Sequence, residues 1–314
     1  MSETAYSNSE INCFDRCRLE YQYRYNLHLQ SIEDDSGAHH TTFGKAFHSA
    51  LEVLYTKGDM KLAKQAMRDG YPVQLDPNDM AKTAENACFT LEKYWEHYNQ
   101  DRDWEIISVV EERNFRDDGF GVKPDLVVHD RNENILLIDH KTTGAYLNYD
   151  YFARYDPNSQ ISHYIQWCKE KHGHCDGFVV NAVSFRYRQR AYKGEPAGFY
   201  CSFERQTFNR TAHQLATTIR ATEEAIADIE HCRETGYWRP NEQSTTCKFC
   251  SYKRLCSAGW SWEEDSELIL NQMRRICDKP ISKTDEHCQL DLGHGGKCDS
   301  SPQVSEAAEF VVEV

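Results

Sequence analysis

The chain has 314 residues, of which 39% are hydrophobic and 27% charged, and its 36 basic against 50 acidic side chains leave a formal net charge of -14. A mean hydropathy of -0.76 excludes a helical membrane protein, since no run approaches the ~18 consecutive apolar residues that a span needs. The acidic balance argues against a protein that coats nucleic acid by bulk electrostatics, but leaves room for a local groove in which a bound cation supplies the positive charge.

The opening MSETAYSNSEINCFDR lacks the basic-then-apolar order of a secretory leader, so the chain reads as cytoplasmic, with no membrane partner. Thirteen cysteines are too few for a disulfide scaffold and, in such a setting, read first as metal ligands.

In chain order, residues 9–27 mix aromatic and basic residues at helical spacing, with Ser9 as the expected N-cap. Residues 31–42 read as a loop. FGKAFHSALEVLYTKG (43–58) predicts an amphipathic helix with Phe43, Phe47, Ala50, Leu51 and Leu54 on one face and Gly58 at its end. Further helical patterns cover 60–68 and 78–100.

The period then changes. Residues 104–116, 122–130 and 134–143 are short β-rich runs split by turn residues, which predicts a three-strand meander. Helical spacing returns at 158–173, two more strands are expected at 177–188 and 198–208, and 211–236 predicts a long helix closed by Gly236. After about residue 260 the order signal fades into an acidic tail. The result is a mixed α/β core with helices flanking a small sheet.

Asp125 precedes one of these strands, and Asp139 and Lys141 end the next. Residues two apart in a strand share a face, so Asp139 and Lys141 project together while His140 points away. Two carboxylates with a lysine beside them suit phosphodiester hydrolysis, in which a cation activates water and the lysine polarises the reacting group. Four stretches in order, FGKAFHSALE, KPDLVV, LLIDHKTTG and QISHYIQW, resemble the PD-(D/E)XK nucleases, and within them the RecB-like branch that includes CRISPR-associated exonucleases and the AddB nuclease domain. The family's Gly-x-x-Asp is altered here, with Val122 at the glycine position and Gly121 beside it.

The resemblance implies a restriction-endonuclease-like mixed sheet flanked by helices, carrying a helical insertion. It implies a Mg²⁺ or Mn²⁺ site formed by His48, Asp125, Asp139 and the backbone carbonyl of His140. Lys141 would be the catalytic lysine, and Gln160 and Tyr164, four apart on one helical face, would lie near the scissile phosphate. Glu111 or Glu112 matches an additional acidic position.

Cys247, Cys250 and Cys256 form Cys-x2-Cys-x5-Cys, three closely spaced thiols that lack a fourth ligand. CRLEYQYRY (17–25) resembles the N-terminal segment with which iron–sulfur members of the family complete a [4Fe–4S] cluster. That makes Cys17 the expected fourth ligand, with Cys13 the alternative; zinc also suits four thiolates. The polar stretch holding Cys277, His287, Cys288, His294 and Cys298 reads as a zinc knuckle built from Cys277, Cys288 or His287, His294 and Cys298.

The expected organisation is therefore an N-terminal cluster helix (1–30), a helical segment with the histidine motif (31–103), a nuclease core (104–240), a cluster segment (241–260) that the metal joins to the first, and a polar tail (261–314). Its expected activity is that of a divalent-metal DNA exonuclease in recombination, repair or end processing, bacterial or phage-encoded and working on DNA with free ends, beside other recombination or CRISPR proteins. A CRISPR spacer-acquisition nuclease and a catalytically silent DNA-binding factor of the same fold are the alternatives. Arg186, Arg188, Arg190 and Lys193, interleaved with Tyr187 and Tyr192, form the expected DNA contact.

Overall fold

The computed structural model describes residues 6–31, 38–109, 114–115, 120–191, 194, 196–257 and 273–275. Its elements in chain order are α1 (Asn8–Arg16), α2 (Arg18–Tyr21), β1 (Leu29–Ser31), α3 (Ala38–Lys57), α4 (Met60–Gly70), α5 (Ala84–His97), β2 (Glu105–Val109), β3 (Asn114–Phe115), β4 (Gly121–Val122), β5 (Leu126–His129), β6 (Ile135–Thr143), α6 (Tyr149–Ala153), α7 (Ser159–His172), β7 (Gly177–Arg188), β8 (Gly198–Phe208), α8 (Ala212–Thr235), α9 (Ser244–Cys247), α10 (Lys253–Ser257) and β9 (Met273–Arg275). They group into two compact units: Met1–Ile11 with Asp35–His231, and Asn12–Asp34 with Cys232–Val314. No helix among the described residues is long and apolar enough to cross a membrane.

The first unit is built on a five-stranded mixed sheet in the order β2-β5-β6-β7-β8. β2, β5 and β6 form the antiparallel meander that their alternation and turns predict. The chain then crosses over through α6 and α7, so that β7 pairs in parallel with β6, and β8 returns antiparallel to β7. The run GFVVNAVSF in β7 is buried without a break, as a central strand covered on both faces must be. One face carries α3, α4 and α5, where Phe43, Phe47, Ala50, Leu51 and Leu54 are fully buried against Ile138, Val183 and Phe185. Each such large side chain contributes about 1.5–3 kcal/mol of burial free energy.

Close approach fixes α3 on the sheet. A Cβ on Gly44 would lie 3.3 Å from Thr142 Oγ1, tighter than ordinary contact, so glycine lets the helix backbone sit against the end of β6. His48 follows one helical turn later.

Four local expectations are corrected. The helix expected over 9–27 breaks at Cys17, whose φ of -163° and ψ of 114° are extended, and then continues as α2 and a π-helical turn at Gln22–Asn26. Ser7, not Ser9, caps α1, its Oγ accepting from Glu10 N at 3.3 Å. α3 begins at Ala38, inside the expected loop, while the helix expected from 78 begins only at Ala84. Before Ala84, Asp76 and Asp79 accept backbone N–H bonds from Asn78, Ala81 and Lys82 and hold the segment in turns, the competition by which short acidic side chains disfavour helix.

In the second unit β1 pairs antiparallel with β9. Tyr23, Leu29, Tyr252 and Leu255 form its buried cluster, and Tyr252 donates its hydroxyl to the Leu29 carbonyl at 2.7 Å.

Candidate active site and cysteine cavity

β5 and β6 pair through Leu126 and Ile138, so the next residues outward, Asp125 and Asp139, stand side by side. The backbone N–H of His140 donates to Asp125 Oδ2 at 2.6 Å, and His48 Nδ1 reaches the same oxygen from α3 at 3.4 Å. Two residues along β6 from Asp139, Lys141 folds back to place Nζ 2.7 Å from Asp139 Oδ2. Asp125, Asp139, Lys141 and His48 are thus brought together.

Their charges are mutually tuned. Burial opposes ionisation of Asp125, but His48, His140 and Lys141 outweigh it and hold its carboxyl well below the usual range. Burial raises Asp139, and the neighbouring Asp125 carboxylate adds to that rise against the pull of Lys141. Burial works against the charge of Lys141, yet Asp139 and Asp125 hold its ammonium well above the ordinary lysine value. Burial also works against the charge of His48, and Asp125 and Asp139 raise it nonetheless. An ionised Asp125 beside an Asp139 whose ionisation it opposes concentrates negative charge at one point, and an oxygen-rich set with one imidazole suits a hard divalent cation.

His140 turns to the other face, where burial lowers its imidazole to about 3. Asn181 Nδ2 donates to His140 Nδ1 at 2.5 Å and to Tyr94 Oη at 2.6 Å, while Arg205 Nε donates to Asn181 Oδ1 at 3.0 Å. Arg205 in turn grips Asp101 with two bonds of 2.9 and 2.5 Å, and Tyr55 donates to Asp101 at 2.6 Å. This network behind the site has no local signature, because its members are scattered over 150 residues.

On the opposite face α7 is capped by Asn158, whose side chain accepts from Ile161 N, and closed by left-handed Gly173. Gln160 Nε2 donates to Tyr164 Oη at 3.3 Å, and Tyr164 donates to the Lys123 carbonyl at 2.9 Å, which secures the chain entering β5. Arg186 and Arg188 lie on β7 and Arg190 is exposed beyond its end. Lys193 and Tyr192, Glu111 and Glu112, and Cys277, His287, Cys288, His294 and Cys298 lie outside the described residues.

Among the described residues, one set of three ligand-type atoms lies within 4.8 Å: His39, His40 and Asp79. Sequence reading passed over it, although the His-His pair was its signal. The set is already hydrogen-bonded: His39 Nε2 to Asp79 Oδ2 at 2.9 Å, Tyr71 Oη to His39 Nδ1 at 2.7 Å and Lys82 Nζ to His40 Nδ1 at 3.1 Å. The Lys82 ammonium already supplies a cation among these groups.

In the second unit Cys17, Cys247, Cys250 and Cys256 all line one cavity of about 90 Å³, together with Leu19, Glu20, Tyr23 and Tyr252. All four are free thiols. Burial pushes Cys250 up to about 11, with Glu20, Cys17 and Cys247 adding to the rise; burial likewise raises Cys256, again with Cys17 and Cys247 adding. Such thiols would ionise together only around a cation. Cys13, which burial pushes up to about 12, does not line the cavity.

A model of the PD-(D/E)XK nuclease superfamily matches residues 5–257. The chain belongs to that superfamily. A search of curated proteins returned no match. Among solved structures, a candidate exonuclease from Eubacterium rectale is 12% identical, covering 78% of this chain and 88% of its own at a TM-score of 0.42. An alkaline exonuclease from Laribacter hongkongensis is 15% identical, covering 63% and 97% at a TM-score of 0.28, and the same exonuclease has been solved in complex with dAMP. The mixed sheet flanked by helices accords with the superfamily's restriction-endonuclease-like fold.

Proposed function

We propose that this PD-(D/E)XK member is a divalent-metal DNA exonuclease of the RecB-like branch, acting in recombination, repair or end processing. The observation that carries the reading is the meeting of Asp125 and Asp139, where the pairing of β5 with β6 ends, with Lys141 held 2.7 Å from Asp139. A pure scaffold has no chemical need for that set, which disfavours the silent DNA-binding alternative.

Asp125 and Asp139 would hold Mg²⁺ or Mn²⁺, with His48 and the His140 carbonyl beside them. When bound, the cation supplies an activated water and neutralises phosphate charge. Lys141 keeps an ammonium at the point where negative charge grows on the scissile phosphate, an interaction stronger in the transition state than before it. Asp139 orients that ammonium. Gln160 and Tyr164 support the chain leading into Asp125.

Cys17, Cys247, Cys250 and Cys256 would hold a [4Fe–4S] cluster as a structural clip within the second unit. A cavity of about 90 Å³ supports this, being several times the ~10–15 Å³ needed for one water-sized occupant, so it suits a multi-atom group better than a lone zinc ion. Linking residues 17 and 247 closes a long loop, and such closures restrict the unfolded chain most.

The test is degradation of end-labelled linear and covalently closed circular DNA by the purified full chain with Mg²⁺, Mn²⁺ or EDTA. Cation-dependent loss of the linear substrate alone is expected. Equal cutting of circles would replace the exonuclease with an endonuclease, and no cutting under any condition would end the reading.

A further inference from the structure

β7 runs four residues past the end of its pairing with β6, which stops at Thr143 and Ser184, while its antiparallel pairing with β8 continues to Arg188. The registers Asp139↔Val180, Lys141↔Ala182 and Thr143↔Ser184 fix which side chains share a face. By the two-residue period, Arg186 and Arg188 project from the same face as Asp139 and Lys141. Tyr200, the β8 partner of Arg186, shares that face, whereas Tyr187 lies on the other.

Both arginines lie over tyrosine rings. The Arg186 guanidinium carbon is 4.0 Å from the centroid of Tyr146, and that of Arg188 is 4.9 Å from Tyr200. Tyr146 lies five residues after Lys141 and is 66% exposed. Its segment is held on both sides: Ser184 Oγ donates to the Ala145 carbonyl at 2.6 Å, Ala145 N donates to Thr143 Oγ1 at 3.1 Å, and Asn148 caps α6 through Tyr151 N at 3.0 Å. Arg186 Nε is buried and has no hydrogen-bond partner among the described residues. A buried charged donor left unmade is costly, so this arginine is better suited to a ligand than to the free protein alone.

We propose that the Tyr146–Arg186 and Tyr200–Arg188 stacks form a track that leads single-stranded DNA to the Asp139–Lys141 site, the tyrosine faces taking bases and the guanidinium donors taking phosphates. The proposal rests on the nuclease reading above and adds the form of the substrate and the residues that select it. From Ala182, level with Lys141, to Arg188 the track is six residues, about 20 Å at ~3.3 Å each, room for several nucleotides. Bases already paired inside a duplex have no free faces for these rings, whereas stacking on an aromatic side chain accepts any unpaired base.

The test measures fluorescence anisotropy with the full chain in EDTA, using a labelled single strand and a blunt duplex of the same sequence. Wild type is expected to prefer the single strand. Tyr146→Leu should weaken single-strand binding about 5- to 100-fold, the range typical of losing one stacked base. Tyr146→Trp should retain it, and Arg186→Gln should weaken it while flattening its salt dependence. Equal binding of both DNA forms by wild type, or unchanged single-strand affinity in Tyr146→Leu, overturns the track. The cleavage assay separates the two readings: single-strand preference lost in Tyr146→Leu without wild-type cleavage keeps the track and removes the nuclease, while cleavage with unaltered variants does the reverse.

Discussion

The backbone N–H of His140 donates to Asp125 Oδ2 at 2.6 Å, so the carboxylate at the start of β5 is tied to the strand that carries Asp139 and Lys141. One residue of β6 thereby faces two ways: its main chain positions Asp125, and its ring is locked into the buried network of Asn181, Tyr94 and Arg205. The site is fixed from behind as well as from its own face.

Asp125→Ala removes a partner of His48, an acceptor for His140 and, on the present account, a cation ligand. Mn²⁺ binding by titration calorimetry should weaken and DNA cleavage should fall by roughly 10²-fold or more. Wild-type Mn²⁺ affinity in this variant would remove Asp125 from the ligand set.

Asp101→Ala strips the largely buried guanidinium of Arg205 of its fully buried carboxylate partner. Leaving a buried charge unpaired costs about 3–5 kcal/mol, and chemical denaturation should show a loss of that size. Arg220→Ala breaks the exposed Arg220–Glu224 pair of 3.0 Å and should cost about 0.5 kcal/mol or less. Similar losses in the two would contradict the part assigned to the network.

Asp79 supplies the pH dependence. Burial works against its charge, but bonds from His39, Lys82 N and Ala81 N hold its carboxyl below the ordinary value. A depressed carboxyl contributes stability that is full above its unfolded value near ~3.9 and is lost as pH falls through the lower folded value. The stability gap between wild type and Asp79→Asn, about 1 kcal/mol at pH 6, should therefore shrink below about pH 4. A gap that stays constant to pH 2.5 would show that the carboxylate's charge is not what matters.

The cysteine cavity predicts a coloured protein. Anaerobically purified chain should contain iron and sulfide in equal amounts and absorb in the visible, and Cys250→Ser should lose that absorbance. A colourless wild type holding one zinc per chain would assign the cavity to zinc.

What the sequence made legible follows the range of each signal. Asp139 and Lys141 share a face because strands repeat every two residues, and the 43–54 apolar stripe became the face of α3 because helices repeat every 3.6. The spacing at 247–256 grouped three cysteines, whereas Cys17 entered only through resemblance to a known family. Contacts without local pattern stayed hidden. Arg205 meets Asp101 across 104 residues, and Arg186 lies over Tyr146 across 40. Only the β6–β7 register reveals that Arg186 faces the same way as Lys141 and Tyr187 does not. The break at Cys17 escaped because its neighbours all keep helical spacing.

The central claim is that Lys141, placed by Asp139, carries transition-state charge in phosphodiester hydrolysis. Single-turnover cleavage of end-labelled linear DNA by Lys141→Ala tests it most directly, with DNA affinity and Mn²⁺ binding measured on the same protein. The account predicts cleavage slowed by roughly 10²-fold or more with both binding constants near wild type, since Lys141 ligates no metal. A Lys141→Ala protein that cleaves at the wild-type rate would show that hydrolysis does not take place at the Asp125–Asp139 site.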